Sequence, residues 1–362
     1  LSDFVRDWNE KYASPRLIIA NAGEMMQQFE TKYGKQIPTW SGDFTPYWED
    51  GAYSTAKEEG DVRVLSARLS NLIDAAKILG KPIDPHMLYR AKRSIVMWHE
   101  HTWGAWCSIS DPDAHFTTDQ WRVKKAFTDS AWFYVRTIEK SIGADPTERR
   151  WRSLVLDTLE HLGLWLRVDG LDPSETRSLP VAGSIGKDTK SGLEHLTYLL
   201  LKDSVRVGHS THMVLPFNIP NATVRIGISD TCVTPESGRI PGSNNDFFCA
   251  QRWIDVSNDS MGVTIVCPQG AIWEVGEMVD ERKVNPGRGS NPELYKAWKT
   301  EPKSSSTIYL YALNNYWHTN FKADQEGPIT FDLYLKMHGP FKLEDARRFG
   351  LEMTRPLITW WK

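Results

Sequence analysis

The sequence predicts an α+β multidomain chain: the terminal βα unit of an α/β layer, then a three-helix bundle, then an antiparallel β-sandwich. Three observations carry this. Residues 15–34 hold one strand-turn-helix pattern, residues 55–142 hold three amphipathic stripes, and beyond Gly143 the apolar runs become short, β-branched and aromatic. A chain of 362 residues has room for two or three domains, each with its own core. The shifts in pattern put the boundaries at 1–53, 54–150 and 151–362.

In "PRLIIANAGEMMQQFETKYG" (15–34), residues 16–21 read as a short buried strand, Asn21-Ala22-Gly23 as the turn, and 24–33 as a helix with Gly34 at its C-terminal cap. One such unit is not a domain, and it reads as the last piece of a larger layer. "PTWSGDFTPYWEDGAY" (38–53) has neither period and reads as a rigid loop. The first bundle helix spans about 55–79. Thr55-x-x-Glu58 reads as a capping box, Leu65, Leu69, Leu72, Ala76 and Leu79 form the stripe, and Gly80-Lys81-Pro82 ends it. The second spans about 84–99, with Leu88, Ala91, Ile95 and Trp98 in period. The third spans about 119–142 behind a Thr117-x-x-Gln120 box, with Val123, Phe127, Ala131, Tyr134, Ile138 and Ile142 on one face. "MVLPFNIP", "ATVRIGI", "MGVTIVC", "STIYLYAL" and "ITFDLYLKM" read as sandwich strands, and "VNPGRGSNPE" (284–293) as a long polar loop.

Composition narrows the function classes. A net charge of -3 leaves no electrostatic footprint for nucleic acid, and no run approaches the ~20 apolar residues that span a bilayer, so the expectation is a soluble chain with neither partner. Four scattered cysteines without a CxxC pair argue against both a disulfide scaffold and a cysteine zinc site. The chain shows no signal peptide, and the compartment, cytoplasmic or exported, stays open, as does oligomerisation. Sixteen tryptophans are the one unusual count, and they suit either sugar stacking or aromatic cores.

Three segments concentrate chemistry. In "MWHEHTWGAWCSISDPD" (97–113), His99 and His101 flank Glu100 at the end of a helix. Positions i and i+2 on a helix diverge by about 200°, so only one of the two imidazoles is expected to face a metal. A histidine resting on the helix C-terminal dipole is the plainer use of the same spacing. In "GDFTPYWEDG", Asp43, Glu49 and Asp50 lie among Tyr47 and Trp48, as a glycosidase's proton donor and sugar platform would; an Asx-turn and a helix N-terminus are the plainer uses of the same aspartates. "NNYWHTNFKADQEGP" (314–328) offers amides, a histidine and carboxylates to hydroxyls, or a hydrogen-bonded corner between strands.

These pieces, in this order, resemble the family 38 glycoside hydrolases, the zinc-dependent retaining α-mannosidases. "SGDFTPYWEDGAYSTAKE" resembles the family's passage from catalytic barrel to bundle, "WHEHTWGA" the place late in the bundle where a zinc-ligating histidine sits, and "LPFNIPNATV", "FFCAQRWIDVSNDSMGVTIV" and "NNYWHTNFKADQEGPITF" its C-terminal sandwich. The resemblance implies that residues 1–53 end the catalytic barrel and that the substrate is an α-mannoside glycan. It implies zinc with His101 as ligand and His99 as second choice, Glu100 as a supporting residue, and Asp50, or else Asp43, near the leaving group. Tyr47, Trp48 and Trp103 would line the sugar site, leaving Trp132 and Trp253 to packing.

The departures are equally specific. None of the ten histidines begins the His-x-Asp pair that the family uses for zinc, and no segment resembles the strand carrying its nucleophilic aspartate. The family also has more sandwich strands before "LPFNIP" than residues 150–210 can hold. The expectation is therefore the C-terminal part of such an enzyme, partnered by an upstream barrel domain. The rivals are a non-catalytic carbohydrate-binding or structural protein, and a metallohydrolase using His99 and His101 as a pair.

Overall fold

A computed structural model of the chain describes residues 1–39, 42–43, 49–100, 105–108, 110–144, 165–169, 177–178, 181–188, 193–202, 210–240, 243–278, 299, 301–315, 325 and 327–355. They hold six α-helices and two antiparallel sheets, an α+β fold. Two compact units divide the chain, Leu1–Gly42 and Asp43–Lys362.

The first unit contains α1 (Ser2–Lys11) and α2 (Ala22–Tyr33), neither of which buries a residue. The Asn9 side-chain amide donates to the Leu17 carbonyl and accepts from its N–H, and the Trp8 indole donates to Pro15, which folds the linker back onto α1. Asn21 and Glu24 form a capping box on α2 that the sequence reading took for a plain turn. Residues 16–21, expected as a strand, form none. A strand exists only as part of a ladder, and the described residues of this unit supply no neighbour; Ile18 is 78% exposed. Gly34 is right-handed (φ -51°, ψ -36°), and the chain runs on through a 3-10 turn, Gly34–Gln36, instead of breaking at a left-handed cap.

In the second unit a 3-10 helix, Glu49–Thr55, runs into α3 (Ala56–Leu79), followed by α4 (Pro85–His99) and α5 (His115–Ser141). The expected Thr55–Glu58 box does not form. Thr55 Oγ1 donates back to Ala52, and the α3 N–H of Lys57 instead meets the side-chain oxygen of Gln325, some 270 residues away in sequence. Gly80 is left-handed (φ 62°) and closes α3 as expected. Asp84 accepts from Met87 N–H to cap α4, with Pro85 in the first turn. Helix α5 starts four residues earlier than expected, because Thr117 is used inside it, buried against Cys107 Sγ and the Asp111 carbonyl.

Leu65, Leu69, Leu72 and Ala76 of α3, Ala91, Ile95 and Trp98 of α4, and Ala131, Val135 and Ile138 of α5 share one buried cluster, against which Phe127 packs. Each such large side chain contributes roughly 1.5–3 kcal/mol by leaving water. Val123, expected on the buried face, is exposed, and Lys124 is buried in its stead.

The strands are β1 (Trp165–Asp169), β2 (Arg177–Ser178), β3 (Val181–Asp188), β4 (Leu193–Lys202), β5 (Ser210–Pro216), β6 (Thr223–Ile228), β7 (Thr231–Val233), β8 (Phe248–Cys249), β9 (Ile254–Ser257), β10 (Gly262–Val266), β11 (Ile272–Val275), β12 (Thr307–Asn314) and β13 (Gly327–His338). One sheet runs β2-β1-β5-β12-β11-β8, the other β3-β4-β13-β10-β9-β6-β7. Met213, Leu310 and Trp273 from the first and Val224, Val256, Val263 and Phe331 from the second join the same buried cluster as the helices, so bundle and sheets are continuous through one core. The second sheet's other face carries Trp253 and Val266 under Ala346 and Phe349 of the last helix, α6 (Leu343–Thr354). The five runs expected as strands lie on β5, β6, β10, β12 and β13, whereas α1 and α6 were not foreseen. The polar loop expected at 284–293 lies outside the described residues.

Candidate functional site

The first turn of α3 is a meeting point. Ser54 Oγ donates to Asn314 Oδ1 (2.7 Å) at the end of β12. Gln325 accepts from Lys57 N–H (2.9 Å) and donates to Glu58 Oε2. Glu59 Oε2 accepts from the Trp98 indole (3.0 Å) and lies 3.5 Å from His99 Nδ1 at the end of α4. Tyr53, one turn earlier, accepts from Ala271 N–H (2.6 Å). Trp98 and His99 of segment 97–113 and Asn314 and Gln325 of segment 314–328 thus meet residues 54–59, which follow the 38–53 segment in the chain, at one helix start. None of these contacts is local in sequence, so the tertiary fold alone brings them together.

The carboxylates of this turn differ in their electrostatics. Burial pushes Glu58 up, partly offset by its own backbone N–H and by the Gln325 amide. Burial would raise Glu59 too, but the hydrogen bond and charge of His99, the charge of Arg63 and the Trp98 N–H together hold it below the usual carboxylate range. Asp61 is raised, chiefly by burial. Tyr53 is pushed up by burial as well. Asn314, the partner of Ser54 at the end of β12, and the following Asn315 are fully buried.

The C-terminal carbonyls of α4 are held by Lys124 of α5. Its ammonium donates to Met97 (2.8 Å), more weakly to Trp98 (3.4 Å) and to the Glu100 carbonyl, with the Glu100 carboxylate 3.8 Å away. A cation at this place satisfies orphan carbonyls and the helix dipole at once. Burial lowers the Lys124 ammonium to about 8, against the raising influence of Glu100.

The candidate residues fall as follows. His99 is part-exposed and engaged with Glu59. Asp43 is buried on an isolated bridge to Arg239: its N–H donates to the Gly238 carbonyl (2.6 Å), and its carboxylate lies 3.6 Å from the Arg239 guanidinium. Asp50 sits on the 3-10 helix that leads into the α3 junction. Tyr47, Trp48, His101 and Trp103 lie outside the described residues. Trp253 is buried, and Trp132 packs against the main core. The residues that sequence reasoning missed are Glu59, Ser54 and Lys124; each takes its place from a partner far away in sequence, and no local pattern marks it. Gln325 lay within a segment singled out for its polarity.

Zinc takes four ligands, or three and a water. Among the described residues no three His, Cys, Asp or Glu side chains gather into such a set, and His99 with Glu59 makes only a pair, so the described donors do not fit a complete zinc site. Among the described residues no helix is long and apolar enough to cross a membrane.

No protein-family model matches the chain, and no curated protein matches it in sequence. Among solved structures, an α-mannosidase from Enterococcus faecalis V583 aligns with 51% of this chain and 18% of its own, at 15% identity and a TM-score of 0.35. A protein in glycosyl hydrolase family 38 from Enterococcus faecalis aligns with 51% of this chain and 20% of its own, at 14% identity and a TM-score of 0.34. The chain thus spans a fifth or less of the length of either, and a likeness at this level assigns neither family nor activity.

Proposed function

We propose that this chain is part of a retaining glycoside hydrolase acting on α-mannosides, and that it supplies the wall of the sugar site that surrounds the first turn of α3. The observation that supports this is the convergence of the three motif-bearing segments through Ser54–Asn314, Lys57/Glu58–Gln325 and Glu59–His99. These are the segments whose wording resembles the family 38 enzymes, and the fold gathers them without any help from sequence proximity.

The chemistry divides accordingly. A retaining glycosidase needs two carboxyl groups about 5–5.5 Å apart, one of them the nucleophile. Asp43 is committed to Arg239, Glu59 to His99 and Trp98, and Glu58 to Gln325, so the described carboxylates here serve as supports. Asp50 is this chain's proposed group on the leaving-group side. The nucleophile and the His-x-Asp pair belong, in this reading, to a barrel domain outside this sequence. With His99 held by Glu59, His101 is the ligand this chain would add to the zinc. Trp48, Tyr47 and Trp103 are the proposed platform for the mannoside.

The test is an assay of the 362-residue chain against an aryl α-mannoside, with metal content measured beside it. The expected outcome is no turnover and weak zinc retention. Fused to a barrel domain carrying His-x-Asp, the protein gains both; His101→Ala then abolishes zinc retention while His99→Ala keeps it. Turnover by the isolated chain that survives repurification and chelation would overturn the assignment of residues.

A further inference from the structure

On the outer face of the seven-stranded sheet lies a cluster that the proposed sugar site does not use. Asp255 on β9 is fully buried, and its carboxylate accepts from Ser257 Oγ, from Thr264 Oγ1 (2.7 Å) on β10 and from His338 Nε2 (2.7 Å) at the end of β13. The imidazole reaches Asp255 by crossing β10 at Gly262, which stands in register with both Ser257 and His338. A Cβ at Gly262 would lie 2.3 Å from the Ser257 Cβ and 2.5 Å from the His338 ring, so only glycine leaves the ring its path.

The other ring nitrogen decides the charge. His338 Nδ1 is 2.8 Å from the carbonyl of Gly339, which can only accept. A carboxylate on one side and a carbonyl on the other both call for N–H donors, and only the doubly protonated ring has two. A neutral ring would set a lone pair against one of these oxygens. The charged and titratable groups around it are Asp255, Arg225 on β6, Cys232 on β7, Lys336 on β13 and Asp345 in the first turn of α6. Arg225 donates to Ser257 Oγ (2.9 Å) and stacks over Phe341 (4.4 Å), in the connection between β13 and α6.

We propose that the His338 imidazolium is a pH-operated latch on the corner between β13 and α6, closed while the ring carries two protons and released when it loses one. Closing ties β9, β10 and β13 to the turn at Gly339, from which α6 returns over Trp253 and Val266. The Asp255 hydrogen bond, ahead of the opposing cost of burial, raises the ring above its ordinary value of 6.5. A raised folded-state value places the stabilisation fully below 6.5 and removes it as pH rises through the folded-state value.

The test is an imidazole ¹H–¹⁵N titration of the full chain, with the His338 signal assigned by its loss in His338→Gln. Amide exchange of the α6 segment is followed over the same pH range, normalised to the middle of α3. We expect a midpoint above 6.5 and about tenfold faster α6 exchange across the same window, with no such step in His338→Gln. Gly262→Ala should drive the ring out and bring the midpoint back toward 6.5. A wild-type midpoint at or below 6.5 overturns the proposal without any variant having to fold, and so does an α6 exchange step that persists in His338→Gln.

Discussion

Single residues at the α3 junction do work that their types do not announce. Lys124 lies at a position where the apolar period of α5 would have continued through Val123; its aliphatic stem enters the interior and its ammonium meets the carbonyls that end α4. Glu59 is a surface-type residue turned inward to serve Trp98 and His99. Such placements are invisible to periodicity, because the partner and not the pattern selects them. Glu59→Ala leaves a buried indole N–H without its acceptor and should cost about 1–3 kcal/mol. Glu59→Gln keeps an oxygen there and should cost clearly less. Urea unfolding of both variants checks the difference, and equal losses would mean that the charge toward His99 outweighs the hydrogen bond.

Among the elements, the long apolar stripes were the most legible. The three bundle helices and the five β-branched runs follow from hydrophobic period alone, because burial enforces it over many residues. Ends and short pieces were not. The two expected capping boxes fail because competing partners, Gln325 at one helix and Cys107 with Asp111 at the other, reach the same groups. The expected strand at 16–21 fails for want of a neighbour. Leu72 is fully buried between the helices, so Leu72→Ala should cost about 2–5 kcal/mol, as should Leu69→Ala, while Val123→Ala on the exposed face should stay within about 0.5 kcal/mol. Thermal or urea unfolding measures all three. A large loss from the Val123 variant would show that the burial stripe has been misplaced by one residue.

At the scale of the molecule, bundle and sheets share one core, and residues of the motif-bearing segments meet where the bundle's first helix begins beside that core. The sequence had already brought out these segments by composition, but their convergence depends on contacts spanning up to 268 residues, which no local reading reaches. Of the candidate site residues, His99 and Asp43 are accounted for by their partners, and the proposed platform of Trp48 and Trp103 remains the central claim. It is tested most directly by titrating mannose into the chain while following the indole N–H signals, each assigned by a Trp→Phe variant. Trp48 and Trp103 should shift with saturation while Trp132 and the buried Trp253 stay in place; shifts confined to Trp132 or Trp253, or none at all, would rule the platform out.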